Sequence, residues 1–482
     1  METGMRAGVA RIDITPPVGI SMVGYYIREG VSTGVERPLT ATALVLESEG
    51  MRVALLSCDV AFIQDPAATA IRMSIATAIG TTPERVLLNY SHTHCGPTLP
   101  GFVWQDEYQQ QIQRTYLLRL SEMLTGAAAA AAAAMRPARV GCGSGTAPIG
   151  INRRELADDG KIFLGENPEG PIDHEVIVVR VDEPDGRPIA TLFNHACHTV
   201  TIGPKCLKLS PDYVGPARDL IEKATGTVSL FLQGAAGNIN PMTGIGSQED
   251  DSENMTRLGL ILGGAVVQAM AGVRTHQYRG PRTYLSSLAR VSLYPYLPVE
   301  ERALPLRVRT DRLLLPMLPL PSPEEARRIR QARLNTYEQA KRDGRSEGVL
   351  TVLRHFANWA EKLERAVAEG GDAPRIPFEI TSIRIGDIAL LATPCEPLAE
   401  LGLAVKQASP FRATLFLGYT NGCIGYLPPA DAYPKDGWSP WETYAIPDML
   451  FQSYQLPMAL DPGCGQMVVN RSLELLRELT AN

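Results

Sequence analysis

The chain alternates between two hydrophobic rhythms. Period-two patterns rich in β-branched residues mark strands at 41–47, 52–58 and 85–90, and a helical segment at 66–79 separates the last two. That arrangement predicts a strand–helix–strand unit. After Asp106 a helical pattern runs into eight consecutive alanines, Ala127 to Ala134, and should end before Pro137. Strands resume at 176–181 and 188–193. A helix follows Ser210-Pro211-Asp212, where Ser is suited to capping and Pro to the first helical turn. An apolar run at 227–232 stops at the turn Gly234-Ala235-Ala236-Gly237, and another helix covers 255–271. Residues 281–315 read as strands broken by prolines, and 322–369 as charged and helical. Strands at 378–385, 388–392 and 413–417 then lead to a final helix at 468–479. The expectation is an α/β fold of mixed β-sheets flanked by helices, carrying a helical insertion near 320–370. Three parts follow from it: 1–280, a strand-then-helix insertion at 281–375, and 376–482, which completes the first part. No repeat of fixed period is visible.

Composition narrows the function classes. The 482 residues are 45% hydrophobic and 20% charged, which fits a globular chain and excludes a disordered one. Against 46 Lys and Arg stand 52 Asp and Glu, a net charge of −6, and no long basic block occurs, so no nucleic-acid partner is expected. No stretch reaches about 18 apolar residues without a charge, the length of a spanning helix, so integral membrane association is not expected either. Residues 1–17 hold Glu2, Arg6, Arg11 and Asp13 and no apolar core of a secretory signal, so a cytoplasmic location is the default. The eight cysteines contain no C-x-x-C pair, which speaks for reduced thiols rather than a zinc ribbon or a disulfide framework.

Candidate chemistry concentrates just past strands. Four of the seven histidines fall in two motifs, Ser91-His92-Thr93-His94-Cys95-Gly96-Pro97 and Asn194-His195-Ala196-Cys197-His198. In extended backbone His92 and His94 share a face, so they can share a metal, or one can bind it while the other handles a proton. A pair of hydrogen-bonded structural histidines is the competing reading. His195 and His198 are three apart and face opposite ways in a strand, leaving one for packing. Cys95, Cys197 and Cys395 adjoin candidate residues and read as small apolar filler, with a thiol ligand or nucleophile as the alternative. Two histidines seldom complete a zinc site. Glu396, in Thr393-Pro394-Cys395-Glu396-Pro397, is a third candidate ligand, although a Glu near a helix N-terminus also serves the helix dipole.

These motifs resemble, in order along nearly the whole chain, those of the neutral ceramidases, zinc amidases that cleave the N-acyl bond of ceramide. Ala7 to Pro17 resembles the family's N-terminal strand, and Ser91 to Pro97 its Thr-His-Thr-His-Ser-Gly-Pro signature. Ile151-Asn152-Arg153 is similar to its Ile-Asn-Arg segment. Ala196-Cys197-His198 with Ser210-Pro211-Asp212 is similar to its second histidine motif. Gly237 to Pro241 resembles its Gly-Asp-x-Ser-Pro loop, Thr393 to Glu396 its Pro-Gly-Glu, and Asn421 to Tyr426 its Asn-x-x-x-x-Tyr. The resemblance implies a Zn2+ ion held by His92, His198, Glu396 and Tyr426, with His94 facing the substrate or oxyanion and Arg153 lining the pocket. Tyr426 would have to lose its proton to the metal, and a hydrogen-bonding core tyrosine is the other reading.

Three departures shift the expected substrate. Asn240 stands where the family has a serine, so the expected chemistry is water-based, with the Asn240 amide free to donate to an oxyanion. Trp438 or Trp441-Glu442 replaces a Tyr-Glu segment and suits an apolar group in the pocket. Neither the family's C-terminal Ig-like sandwich module nor a signal peptide is expected from this sequence. The resulting expectation is a zinc-dependent amidohydrolase acting on a small, soluble N-acyl compound through metal-activated water. An esterase or lactonase on the same site, a ceramidase proper, and a non-catalytic binding protein are the alternatives. A homo-oligomer is compatible with the sequence.

Overall fold

A computed structural model describes residues 4–101, 106–158, 162–300, 304–370, 374–433 and 451–481. Three sheets carry the architecture. The first runs in the order Val86–Tyr90, Met51–Cys58, Thr40–Ser48, Arg6–Asp13, Arg136–Pro137. The second runs Val228–Gln233, Pro188–His195, Glu175–Asp182, Arg139–Thr146. The third runs Leu306–Pro316, Arg375–Ile385, Ile388–Ala392, Ala413–Leu417. Each is antiparallel except for one parallel pair at an edge, joined through the helices Ala67–Ile79, Val214–Thr225 and Ala399–Ala408 respectively. The mixed α/β class read from the hydrophobic rhythm is the one observed.

Strand alternation explains how the sheets stack. In Thr40–Ser48, Leu44 and Leu46 point into a core shared with Val179 and Leu192 of the second sheet and Ile383 and Leu390 of the third. Ala43 and Val45 point the other way, onto the helices. Helices therefore cover the outer faces: Glu107–Ala133 and Ser252–Ala271 on the first two sheets, and Pro323–Arg342, Glu347–Glu369 and Cys464–Glu478 on the third. The alanine tract lies against the first sheet, with Ala127, Ala128 and Ala131 buried. Its fit depends on Gly8, because a Cβ there would run into the Ala131 carbonyl oxygen. Caps match the sequence at Asp106, whose Oδ1 accepts from Gln109 N at 2.8 Å, and at Ser322, whose hydroxyl accepts from Glu325 N at 3.2 Å. Ser210 caps nothing: the helix begins only at Val214, and Ser210 Oγ accepts from Asp212 N inside the preceding turn. The reason is Asp212, whose φ of 57° breaks the helical path before it can start.

The two helices of the expected insertion form a hairpin on the third sheet, with Ile329, Trp359 and Leu363 packed against Phe378 and Ile380. Among the described residues no helix is long and apolar enough to cross a membrane.

Candidate metal centre

The ends of the parallel strands converge, and buried amides lock them together. Asn89, at the end of the first sheet, donates to Gly418 O and Thr420 Oγ1 of the third and accepts from Gln233 N of the second at 2.8 Å. Asn194 Nδ2 donates to Leu232 O and Phe416 O, and Asn421 Oδ1 accepts from Leu88 N. Polar side chains at this depth persist only when bonded, so the network fixes the register of three sheets at one point. The segments leaving those strands carry the candidate residues.

His92 leaves Tyr90 with a φ of 61°, so the backbone there is not extended, contrary to the shared-face argument. The left-handed residue turns the chain and still delivers both rings to one place: His92 Nε2 and His94 Nε2 lie 3.2 Å apart. The His92 amide donates to Val60 O, and the His198 amide to Ile239 O. His92 Nδ1 contacts Ala61 O at 3.1 Å and His198 Nδ1 contacts Ala236 O at 2.7 Å. A carbonyl can only accept, so both Nδ1 atoms carry the proton and both Nε2 atoms present a bare lone pair to the interior. His195 is the packing member of its motif: it ends the strand, and its Nδ1 bonds to Glu175 O.

Glu396 lies in the strand Glu396–Pro397, paired in parallel with Tyr426–Leu427, and is 1% exposed. It is not a helix cap. Its Oε2 is 3.4 Å from His92 Nε2 and 3.3 Å from His198 Nε2, and His198 Nε2 makes no hydrogen bond among the described residues. Tyr419 donates to Oε2 at 3.3 Å, and Tyr454 donates to Oε1. Arg153 Nη2 donates to the Tyr426 hydroxyl at 2.7 Å and its Nη1 to Asn240 Oδ1 at 3.2 Å. Asn240 thus stands behind Arg153, outside the cavity lining, with its carboxamide oxygen engaged.

Electrostatics favour a cation at this point. Burial, helped by Arg153, pushes His198 down to about 4, and burial with His92 and His198 pushes His94 well below the ordinary histidine range. Burial alone would raise Glu396, but His92 and His198 outweigh it and hold the carboxyl well below its usual range. A carboxyl held ionised beside imidazole nitrogens is a donor set that suits a metal cation. Burial raises the Tyr426 phenol, while Arg153 opposes the shift; burial likewise opposes the charge of Arg153, and Tyr426 and Glu396 restore it.

The spacing also fits. His92, His94 and His198 offer nitrogens within 4.8 Å of one another. A tetrahedral ion with bonds of about 2.0–2.1 Å separates its ligand atoms by roughly 3.3 Å, close to the contacts that link His92, His94, His198 and Glu396. Cys95, Cys197 and Cys395 are buried and outside this group. Burial raises each thiol, Cys95 to about 12, which suits inert filler.

Beside the centre lies a cavity of about 490 Å3, walled by Phe62, Arg28, Arg153, Tyr426 and Tyr454, with Glu347 and Thr351 of the helical hairpin at its side. The hairpin therefore reaches the cavity, and Gly348 N is tied to Glu29 Oε1 at 3.1 Å. Trp438 and Trp441-Glu442 lie outside the described residues. Sequence reasoning missed Tyr419, Tyr454, Arg28 and the Asn89–Gln233 lock. Polar residues ending otherwise apolar strands were the available signal for the lock; the others sit in loops without periodicity.

The sequence profile of neutral/alkaline non-lysosomal ceramidase, N-terminal, matches residues 5–256. No curated protein sequence matches the chain. Among solved structures, the crystal structure of neutral ceramidase from Pseudomonas aeruginosa aligns over 100% of this chain and 76% of its own, at 18% identity and a TM-score of 0.67. A ceramidase complexed with C2 aligns over 99% and 76%, at 18% identity and a TM-score of 0.69. These two likenesses concern the fold, whereas the profile spans more than half of the sequence: the chain belongs to the neutral/alkaline non-lysosomal ceramidase family.

Proposed function

We propose that this protein is a zinc-dependent hydrolase that cleaves the amide bond of a small, soluble N-acyl compound. His92, His198, Glu396 and Tyr426 would hold the ion. The observation that carries this reading is the convergence of two bare Nε2 atoms and one ionised carboxylate oxygen, each oriented by a second bond, beside a cavity of ligand size. Bound zinc would supply Lewis acidity and a water whose pKa falls to about 7. Arg153 holds the Tyr426 oxygen and brings a fixed positive charge to the wall where acyl oxygen charge would develop. Asn240 positions Arg153. His94, uncharged and with Nδ1 free of hydrogen bonds among the described residues, can carry a proton to the leaving amine.

The cavity falls within the range of roughly 300–1,000 Å3 that encloses drug-sized ligands, which supports a compact substrate. One contact favours a second assignment of His94: at 3.2 Å from His92 Nε2 it is as near as a co-ligand would be. His94→Gln decides between the two, since retained metal with lost rate makes it the proton carrier and lost metal makes it a ligand. The reaction is tested with matched N-acyl amides and O-acyl esters. Amide cleavage that a chelator stops is expected, and cleavage of esters alone would overturn the proposal.

A further inference from the structure

Among the described residues Arg28 presents a cation without a counter-ion at the wall of the cavity. The residue is 8% exposed and lines the cavity in the loop that passes His94. Its Nη1 is spent on two carbonyls, Val23 O at 2.7 Å and His94 O at 2.9 Å. The guanidinium lies 4.8 Å from the Tyr25 ring centroid, and that ring meets the His94 ring edge-on at 5.1 Å. The other edge is buried and only weakly engaged. Nε has no hydrogen-bond partner, and Nη2 has only Cys95 Sγ at 3.9 Å, among the described residues. No carboxylate pairs with it there either. Asp212 and Asp251, whose charges act on neighbouring Tyr25, are committed to the backbone: Asp212 to Ile202 N and Tyr213 N, Asp251 to Gln248 N.

A buried guanidinium is unfavourable unless its charge and its remaining donors are met, and an anion meets both. The Nε and Nη2 edge is the one that forms side-on, two-bond pairs with carboxylates. From the burial, the under-satisfied edge and the position next to His94, we propose that Arg28 recognises a carboxylate on the amine side of the substrate. The substrate class is then an N-acyl amino acid. This rests on the amide-hydrolase reading and narrows it, because a neutral amine would leave the charge unanswered. Arg28 is a specificity residue here, while Arg153 remains with Tyr426 and Asn240.

The test separates binding from turnover. Metal-loaded protein is titrated calorimetrically with a non-cleavable ketomethylene isostere of an N-acylglycine and with its carboxamide counterpart. The carboxylate should bind about 10- to 100-fold more tightly, the range of a charged hydrogen-bonded pair. Arg28→Gln should remove that preference, and Arg28→Lys, which keeps the charge without the fork, should retain part of it. Equal binding of both ligands by the wild type, or a preference that survives in Arg28→Gln, would overturn the inference. Turnover of N-acylglycine is measured separately. A carboxylate preference without amide cleavage would sustain Arg28's role and refute the hydrolase reading; amide cleavage without the preference would do the reverse.

Discussion

Gly24 gives the sharpest mechanical test of the site. Its φ is 103°, a region that L side chains rarely adopt, and an added Cβ would lie 2.5 Å from His94 Cβ and 2.6 Å from His94 Nδ1. Ordinary contact between such atoms begins near about 3.5 Å, so either the His94 ring or the loop must retreat by roughly 1 Å. Gly24→Ala therefore carries a backbone cost of about 1–3 kcal/mol and an overpacking cost of about 1–3 kcal/mol. Displacement of a catalytic group by roughly 1 Å costs on the order of 100-fold in rate. The expected result is a thermal midpoint lowered by several degrees and kcat/KM for an N-acyl amide lowered about 100-fold. Bound zinc should be retained if His94 carries the proton, since His92, His198 and Glu396 are held by other segments. The assay pairs metal analysis with steady-state kinetics of folded Gly24→Ala protein. Wild-type activity in that variant would refute the argument that the loop sets the position of His94.

Two further outcomes concern stability. Burial lowers His195 and His355 to about 4, below the value near 6.5 of an unfolded chain, so the unfolded state binds protons that the fold refuses. Their stabilising contribution is complete above about pH 6.5 and is lost as the pH falls toward 4, at about 3 kcal/mol apiece. Urea midpoints should fall across that window, and a flat profile would contradict the burial argument. Arg218 Nη2 pairs with Asp59 Oδ2 at 2.6 Å, with both side chains buried, so Arg218→Ala leaves a lone carboxylate inside. About 3–5 kcal/mol should be lost in chemical denaturation. A loss below about 1 kcal/mol would mean that the pair is dispensable.

The legibility of this chain divides by mechanism. Strands such as Thr40–Ser48 are readable because both faces are buried against different partners, which leaves a nearly continuous apolar run bounded by polar residues. His92, His198 and Glu396 were readable because each follows a strand end within a compact motif. What spacing could not convey was backbone handedness: the positive φ at His92 and Asp212 redirected one motif and delayed one helix. Tyr419, Tyr454 and Arg28 reach the site from loops far apart in sequence, and only the meeting of three sheets brings them together. Asn89 and Gln233 look like lapses in apolar runs; in the fold they hold the sheets in register.

The zinc site proposed at His92, His198 and Glu396 would drive amide hydrolysis. The direct measurement is metal content alongside N-acyl amide turnover for the wild type, His92→Ala, His198→Ala and Glu396→Gln. About one equivalent of zinc is expected in the wild type, with turnover abolished by chelation and restored by zinc, and metal loss with activity loss in the histidine variants. Full zinc occupancy in both histidine variants, or undiminished turnover by the metal-free protein, would contradict it.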